Sequence, residues 1–154
     1  MLLAIFLTHG TGLAPPACGI ASGLAAAVRR LPSSGTGSIT FSSDSITVAL
    51  RSFDSVAWSK EAVPCVSVVG ITVGTAHRRQ GQASAALTDL QIAASKHGRA
   101  LLVENVVSPA MHHILAKRGA LTLPGSRRGA RGATYWLPPA HQPGAGWTDL
   151  AVPR

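Results

Sequence analysis

The chain has 154 residues, of which 46% are apolar and 13% charged, and its fourteen basic and six acidic side chains give a formal net charge of +8. That balance fits one compact soluble domain with room for a core, built on Val, Leu, Ile and Ala because aromatic residues are few. Two cysteines, Cys18 and Cys65, exclude a disulfide framework and suit free thiols in a reducing compartment, so a cytoplasmic protein is expected.

In chain order, Met1–Leu7 is apolar, lacks a basic flank and is far shorter than a membrane span, so it reads as a buried first strand and no membrane partner is expected. Residues 12–31 are rich in Ala and Gly and end in Arg29-Arg30, which suits a helix, although Pro15, Pro16 and Gly23 oppose it. Ser38–Phe41 and Ser45–Leu50 alternate polar and apolar residues around Ser43-Asp44, a hairpin pattern. Val63–Val73 is a nearly continuous β-branched run and predicts a central strand, with Gly70 marking a bulge or a close backbone approach.

Ala83, Ala86, Leu87, Leu90, Ala93 and Ala94 share one helical face, and Lys96-His97-Gly98 closes that helix with basic residues and a glycine cap. Ala100–Val107 predicts a second central strand. Ser108-Pro109 then supplies an N-cap and a first-position proline for a helix ending at Lys117-Arg118-Gly119. Leu121–Leu123 and Thr134–Leu137 read as short strands around the flexible basic loop Gly125–Gly132. The expected organisation is a single domain over residues 1–140, with a Pro- and Gly-rich tail over 141–154. From residue 63 the order is strand, helix, strand, helix, strand, strand, a mixed α/β pattern.

The segment with the clearest chemistry runs from Ile71 to Leu87. It is an apolar strand, a basic turn with Gly81, and a helix that starts on small residues. Such a turn offers free backbone N–H groups and the positive end of a helix dipole to an anion. Gly81 has no Cβ to keep a ligand away, Ala83 and Ser84 keep the helix start narrow, and Arg78 and Arg79 add charge. There is no G-x-x-x-x-G-K-[ST] loop and no G-x-G-x-x-G fingerprint, which argues against triphosphate hydrolysis and dinucleotide binding.

Arg78-Arg79-Gln80-Gly81-Gln82-Ala83 resembles the R/Q-x-x-G-x-G/A signature of the GCN5-related N-acetyltransferases, and the resemblance extends over residues 63–137. It implies an α/β fold in which two strands of a mixed central sheet with flanking helices splay apart to admit acetyl-CoA, and direct transfer of the acetyl group to a primary amine in a ternary complex. It implies that Ile71, Thr72 and Val73 lie along the pantetheine arm, that Arg78, Arg79, Gln80, Gly81, Gln82, Ala83 and Ser84 hold the pyrophosphate, and that Ser108 faces the thiol end. The chain departs from the family pattern at Ser108, where Asn is common, at Leu115, where many members carry the tyrosine that protonates the leaving thiolate, and at Ala120, where Phe is usual. The general-acid assignment therefore does not carry over, and residues 1–62, which match only loosely, leave the acceptor site unspecified.

Other candidates come from position. Glu104 is the one carboxylate of the second central strand and is the candidate base; its alternative is a paired or solvent-facing glutamate. The Val73 N–H is a candidate oxyanion donor. Tyr135, the one tyrosine, is either a proton donor or a core residue. Arg127, Arg128 and Arg131 suit an anionic acceptor or an amine carried on nucleic acid, unless they form a solvated loop. No metal site is expected, because His112 and His113 are adjacent on a helix and point about 100° apart.

The excess charge has two readings, an anionic partner or coding bias, since eleven of the fourteen basic residues are Arg. The leading expectation is an acetyl-CoA-dependent N-acetyltransferase, monomeric or homodimeric. The alternatives are a CoA-binding module that has lost catalysis and a nucleic-acid-binding protein.

Overall fold

The computed structural model describes residues 16–33, 35–53, 64–123, 126–127 and 129–137. The expected first strand at Met1–Leu7, Cys18's side chain and the C-terminal tail lie outside them.

Helix α1 (Pro16–Arg30) leads into an antiparallel hairpin of β1 (Gly37–Ser42) and β2 (Ile46–Phe53). The first described helical residue is Pro16, whose fixed φ suits a first turn. Gly23, which argued against this helix, serves its packing: a Cβ there would stand 2.2 Å from the Phe41 ring of β1. The hairpin turns at Ser43–Ser45, where the Ser43 Oγ accepts the Ile46 N–H at 3.3 Å.

Strand β3 (Cys65–Val73) pairs antiparallel with β2 and parallel with β4 (Ala100–Val106), the two being joined through α2 (Gln82–Lys96). Helix α3 (Pro109–Lys117), β5 (Leu121–Thr122) and β6 (Ala133–Leu137) complete a mixed six-stranded sheet of order β1-β2-β3-β4-β6-β5. The expected α/β architecture is present, and the elements predicted within the described residues are in place to within a few residues.

All three described helices contribute to one core. Leu24 and Val28 of α1, Leu87, Leu90 and Ala94 of α2 and Leu115 of α3 pack with Val48, Leu50, Val66, Val68, Leu101, Val103 and Tyr135 of the sheet. A smaller cluster of Cys65, Ala100, Leu102 and Trp136 occupies the other face, as the strand period of two requires. Arg99, 5% exposed, donates to the Leu31 and Pro32 carbonyls at 3.2 and 2.8 Å, so it neutralises the end of α1 with a buried cation.

Two irregularities shape the sheet. In β3, Ala49 faces Gly70 and Leu50 faces Val68, so Val69 is an extra residue and the bulge expected at Gly70 is present. The extra residue resets the pleat: Val66 and Val68 face the helices before it, and Ile71 and Val73 do so after it. The second irregularity is in β4, which pairs with β3 only from Cys65↔Ala100 to Val68↔Val103. Beyond that pair both strands continue but separate. Asn105 adopts φ 51° where the β4–β6 register shifts. The sheet is therefore forked, as the resemblance implied.

Candidate functional site

The fork opens along β3. Gly74 donates its N–H to the Ser45 carbonyl at 2.9 Å, and Val73 sits opposite Ile46. In an antiparallel ladder this makes Val73 and Ile71 members of non-hydrogen-bonded pairs. Their backbone groups point away from β2, toward the side that β4 has left. The Val73 N–H, named as an oxyanion donor, thus faces the opening. Its carbonyl accepts a long 3.5 Å contact from Arg78 Nε.

A 3₁₀ turn at Thr75–His77 and the sharp Arg78–Gly81 connection follow. Arg79 at φ 62° and Gly81 at φ 75° are both left-handed. Glycine takes that conformation freely, whereas in Arg79 it costs on the order of 1–2 kcal/mol. Gly81 is the N-cap of α2 and offers no side chain to the helix end. The first intrahelical bond is Ala85 N–H to the Gly81 carbonyl, 2.9 Å, so the N–H groups of Gln82, Ala83 and Ser84 precede the helical ladder.

These donors meet a cleft of about 400 Å³. Its walls are Ile71 and Val73 from β3, His77, Arg78, Arg79 and Gly81 from the turn, Gln82, Ala83 and Ser84 from α2, and Ser108, Ala110, Met111 and Ile114 from α3. One end is cationic and rich in N–H groups; the rest is aliphatic. Nine of the eleven residues expected to hold a cofactor line it. Thr72 is exposed on β3, and Gln80 turns away, its Nε2 donating to the Ala76 carbonyl at 3.2 Å. Ser108 was expected to cap α3, but its side chain makes no capping bond. Only its carbonyl joins the helix, accepting the His112 N–H at 3.1 Å.

Two parts of the site escaped the sequence reading. Met111 and Ile114 supply the α3 wall; their helical spacing was visible, but which face they presented was not. Arg118, read only as a helix-end cation, donates from Nη2 to the Ser84 carbonyl and to Thr88 Oγ1, both at 2.5 Å, and to Ser84 Oγ at 3.1 Å. It ties the end of α3 to the first turns of α2, and burial lowers its pKa. A contact spanning 34 residues leaves no local sequence signal.

Glu104 is the first β4 residue beyond the last β3 pair, on the sheet face opposite the helices. Arg51 Nη2 donates to its Oε2 at 2.7 Å, and the buried Ser67 hydroxyl donates to its Oε1. It is thus both paired and placed at the fork. Tyr135 is fully buried and absent from the cleft wall. Its hydroxyl accepts the Gly129 N–H at 2.8 Å and lies 2.8 Å from His112 Nδ1. His113 is exposed.

The basic loop is less free than its composition suggested. Besides the Gly129 bond, the Ala130 N–H reaches the Arg127 carbonyl and the Gly132 N–H reaches the Val106 carbonyl at 2.8 Å. Arg127 and Arg131 are exposed on a loop tied to the end of β4; Arg128 lies outside the described residues. Cys65 is 1% exposed and burial raises its thiol to about 12, which suits a small core residue.

No family model matches the chain, and no curated protein matches it. Two solved structures are similar in outline. One is a point variant of the toxin AtaT, bound to the C-terminus of the antitoxin AtaR and to acetyl-CoA, at 15% identity over 61% of this chain with a TM-score of 0.43; the match spans 58% of that protein. The other is a candidate acetyltransferase from Agrobacterium tumefaciens, at 15% identity over 88% of this chain and 97% of that one, with a TM-score of 0.47. The chain's own geometry is a mixed α/β sheet whose two central strands part beyond Val68 and Val103.

Proposed function

We propose that the chain is an acetyl-CoA-dependent N-acetyltransferase of the cytoplasm. The observation that carries this reading is the cleft walled by β3, the basic turn, α2 and α3, which joins an aliphatic channel to an N–H-rich, basic helix end. CoA has the matching division, an extended arm ending in a pyrophosphate. The N–H groups of Gln82, Ala83 and Ser84, with Arg78 and Arg79, would hold the pyrophosphate. Ile71, Val73, Met111 and Ile114 would flank the arm. When bound, acetyl-CoA supplies the thioester acyl group.

The remaining chemistry belongs to the chain. The Val73 N–H, directed into the fork, would donate to the carbonyl oxygen as charge develops on it. Glu104, held by Arg51 and Ser67, would take a proton from the acceptor ammonium, directly or through a water, and so free the neutral amine that attacks. We assign Tyr135 to holding the arginine loop, because His112 and Gly129 occupy its hydroxyl. Arg127 and Arg131 border the β4 end and would favour an acceptor that is anionic or linked to nucleic acid.

A second reading, a CoA-binding module without turnover, is favoured by one observation: among the described residues no cleft-lining residue is Tyr, Asp or Glu, and Leu115 is fully buried. Release of free CoA thiol in the presence of an amine panel separates the two. The enzyme reading expects acceptor-dependent release that falls in Glu104→Gln. Binding of acetyl-CoA with no release above background would leave the module.

A further inference from the structure

The Tyr135 hydroxyl stands between two segments that no other described hydrogen bond joins. It accepts the Gly129 N–H at 2.8 Å from the turn before β6 and lies 2.8 Å from His112 Nδ1 on α3. The two rings meet edge to face, with centroids 5.6 Å apart and planes at 62°. Tyr135 is 0% exposed, whereas His112 is half-buried and Gly129 is exposed.

The direction of each bond follows from the supply of protons. A phenol has one O–H to give and an oxygen that accepts. Gly129 already donates to the oxygen, and no third partner stands at the hydroxyl among the described residues. A donating Nδ1–H would strand the buried O–H, so the O–H points at Nδ1 and His112 is neutral with its proton on Nε2. A second proton on the imidazole makes Nδ1 a donor as well. Two N–H groups then converge on one oxygen, and the phenolic proton has no acceptor. The Tyr135 ring is fixed in the core, and Gly132 is tied to the Val106 carbonyl at 2.8 Å. The exposed Gly129 end is left to yield, and water entering there accepts the phenolic proton.

The charges around His112 do not oppose this. On α3 they are His113, Lys117 and Arg118, the loop carries Arg127 and Arg131, and β6 presents Tyr135 as its one titratable group. Of the described carboxylates, Asp44 lies in the β1–β2 turn, Asp89 borders a cavity beside Ile20 of α1, and Glu104 is bonded to Arg51.

We propose that His112 is a proton-sensitive latch, which when neutral fastens the Gly129–Gly132 turn to α3 through Tyr135 and when protonated releases Gly129. Histidine changes charge between about pH 5 and 8, so the latch opens as a neutral solution is acidified. Helix α3 supplies Met111 to the cleft wall and the turn carries Arg131, so the latch sets how firmly that arginine is held beside the cleft wall. The latch belongs to the fold and does not depend on acetyl transfer.

The test is NMR of the full chain between about pH 8 and 5. The Gly129 amide and the His112 ring should titrate with one midpoint. Below it, Gly129 protection from hydrogen exchange should be about tenfold lower than above it, once the intrinsic pH dependence is divided out. His112→Asn offers an oxygen to the phenol without titrating, so it should hold Gly129 in its high-pH state throughout. Tyr135→Phe should leave Gly129 released at every pH; the native chain and His112→Asn carry the test even if this buried variant folds poorly. A Gly129 amide that does not follow His112, or one that titrates unchanged in His112→Asn, would overturn the proposal.

Discussion

Glu104 holds two relations at once, and they make opposite claims on it. A carboxylate bonded to a guanidinium and a buried hydroxyl is well explained as structure, yet this one begins where the two central strands part. If it takes the ammonium proton, Glu104→Gln keeps the shape and removes the base. The expected loss is about 10²-fold or more in kcat across the pH profile, with acetyl-CoA affinity unchanged. An unchanged pH–rate profile would return Glu104 to a purely structural role.

Cys65 allows a prediction of stability. Its folded pKa is raised from 9.0 to about 12, so the folded state keeps a proton that the unfolded state loses first. Its stabilising contribution is complete below about pH 9 and is lost as pH rises toward 12, at up to about 1.4 kcal/mol per pH unit. Denaturant melts at pH 8 and 10 should show this slope, and Cys65→Ala should remove it.

At the scale of elements, the cleft depends on how two helices are held over a forked sheet. Arg118 alone links the α3 end to the Ser84–Thr88 turn of α2 among the described side-chain hydrogen bonds. Arg118→Ala should destabilise the fold by about 1–2 kcal/mol, and should weaken acetyl-CoA binding by letting the cleft walls drift. Denaturant titration and calorimetry measure the two effects separately.

Much of the fold was legible because it is local. The Ala and Leu face of α2, the basic and glycine stop at Lys96–Gly98, and the Ser108-Pro109 start of α3 are each written within one turn. So is Gly81, whose left-handed backbone the basic turn requires. The unreadable parts join distant segments: Arg118 to Ser84, Arg51 to Glu104 and Tyr135 to His112. The fork itself was reachable only through the family resemblance, since no periodicity tells a strand where to leave its neighbour.

For the whole molecule, the excess charge is the least decided feature, and salt decides it. If the acceptor is carried on nucleic acid, affinity for a short oligonucleotide should fall linearly in log–log with salt. Changing Arg127 and Arg131 together to Ala should reduce the slope by about 2. A slope near zero would assign the charge to composition and leave a small amine or peptide as acceptor.

If the cleft is a CoA site, acetyl-CoA stabilises the folded chain, and a thermal melt measures that stabilisation directly. A ligand at about 100 times its Kd stabilises by about 2.7 kcal/mol, which for a chain of this size raises Tm by several degrees. A CoA site gives that rise in the native chain and loses it in Gly81→Glu, which sets a carboxylate among the free N–H groups at the start of α2. No rise with millimolar acetyl-CoA, or an equal rise in Gly81→Glu, would contradict it.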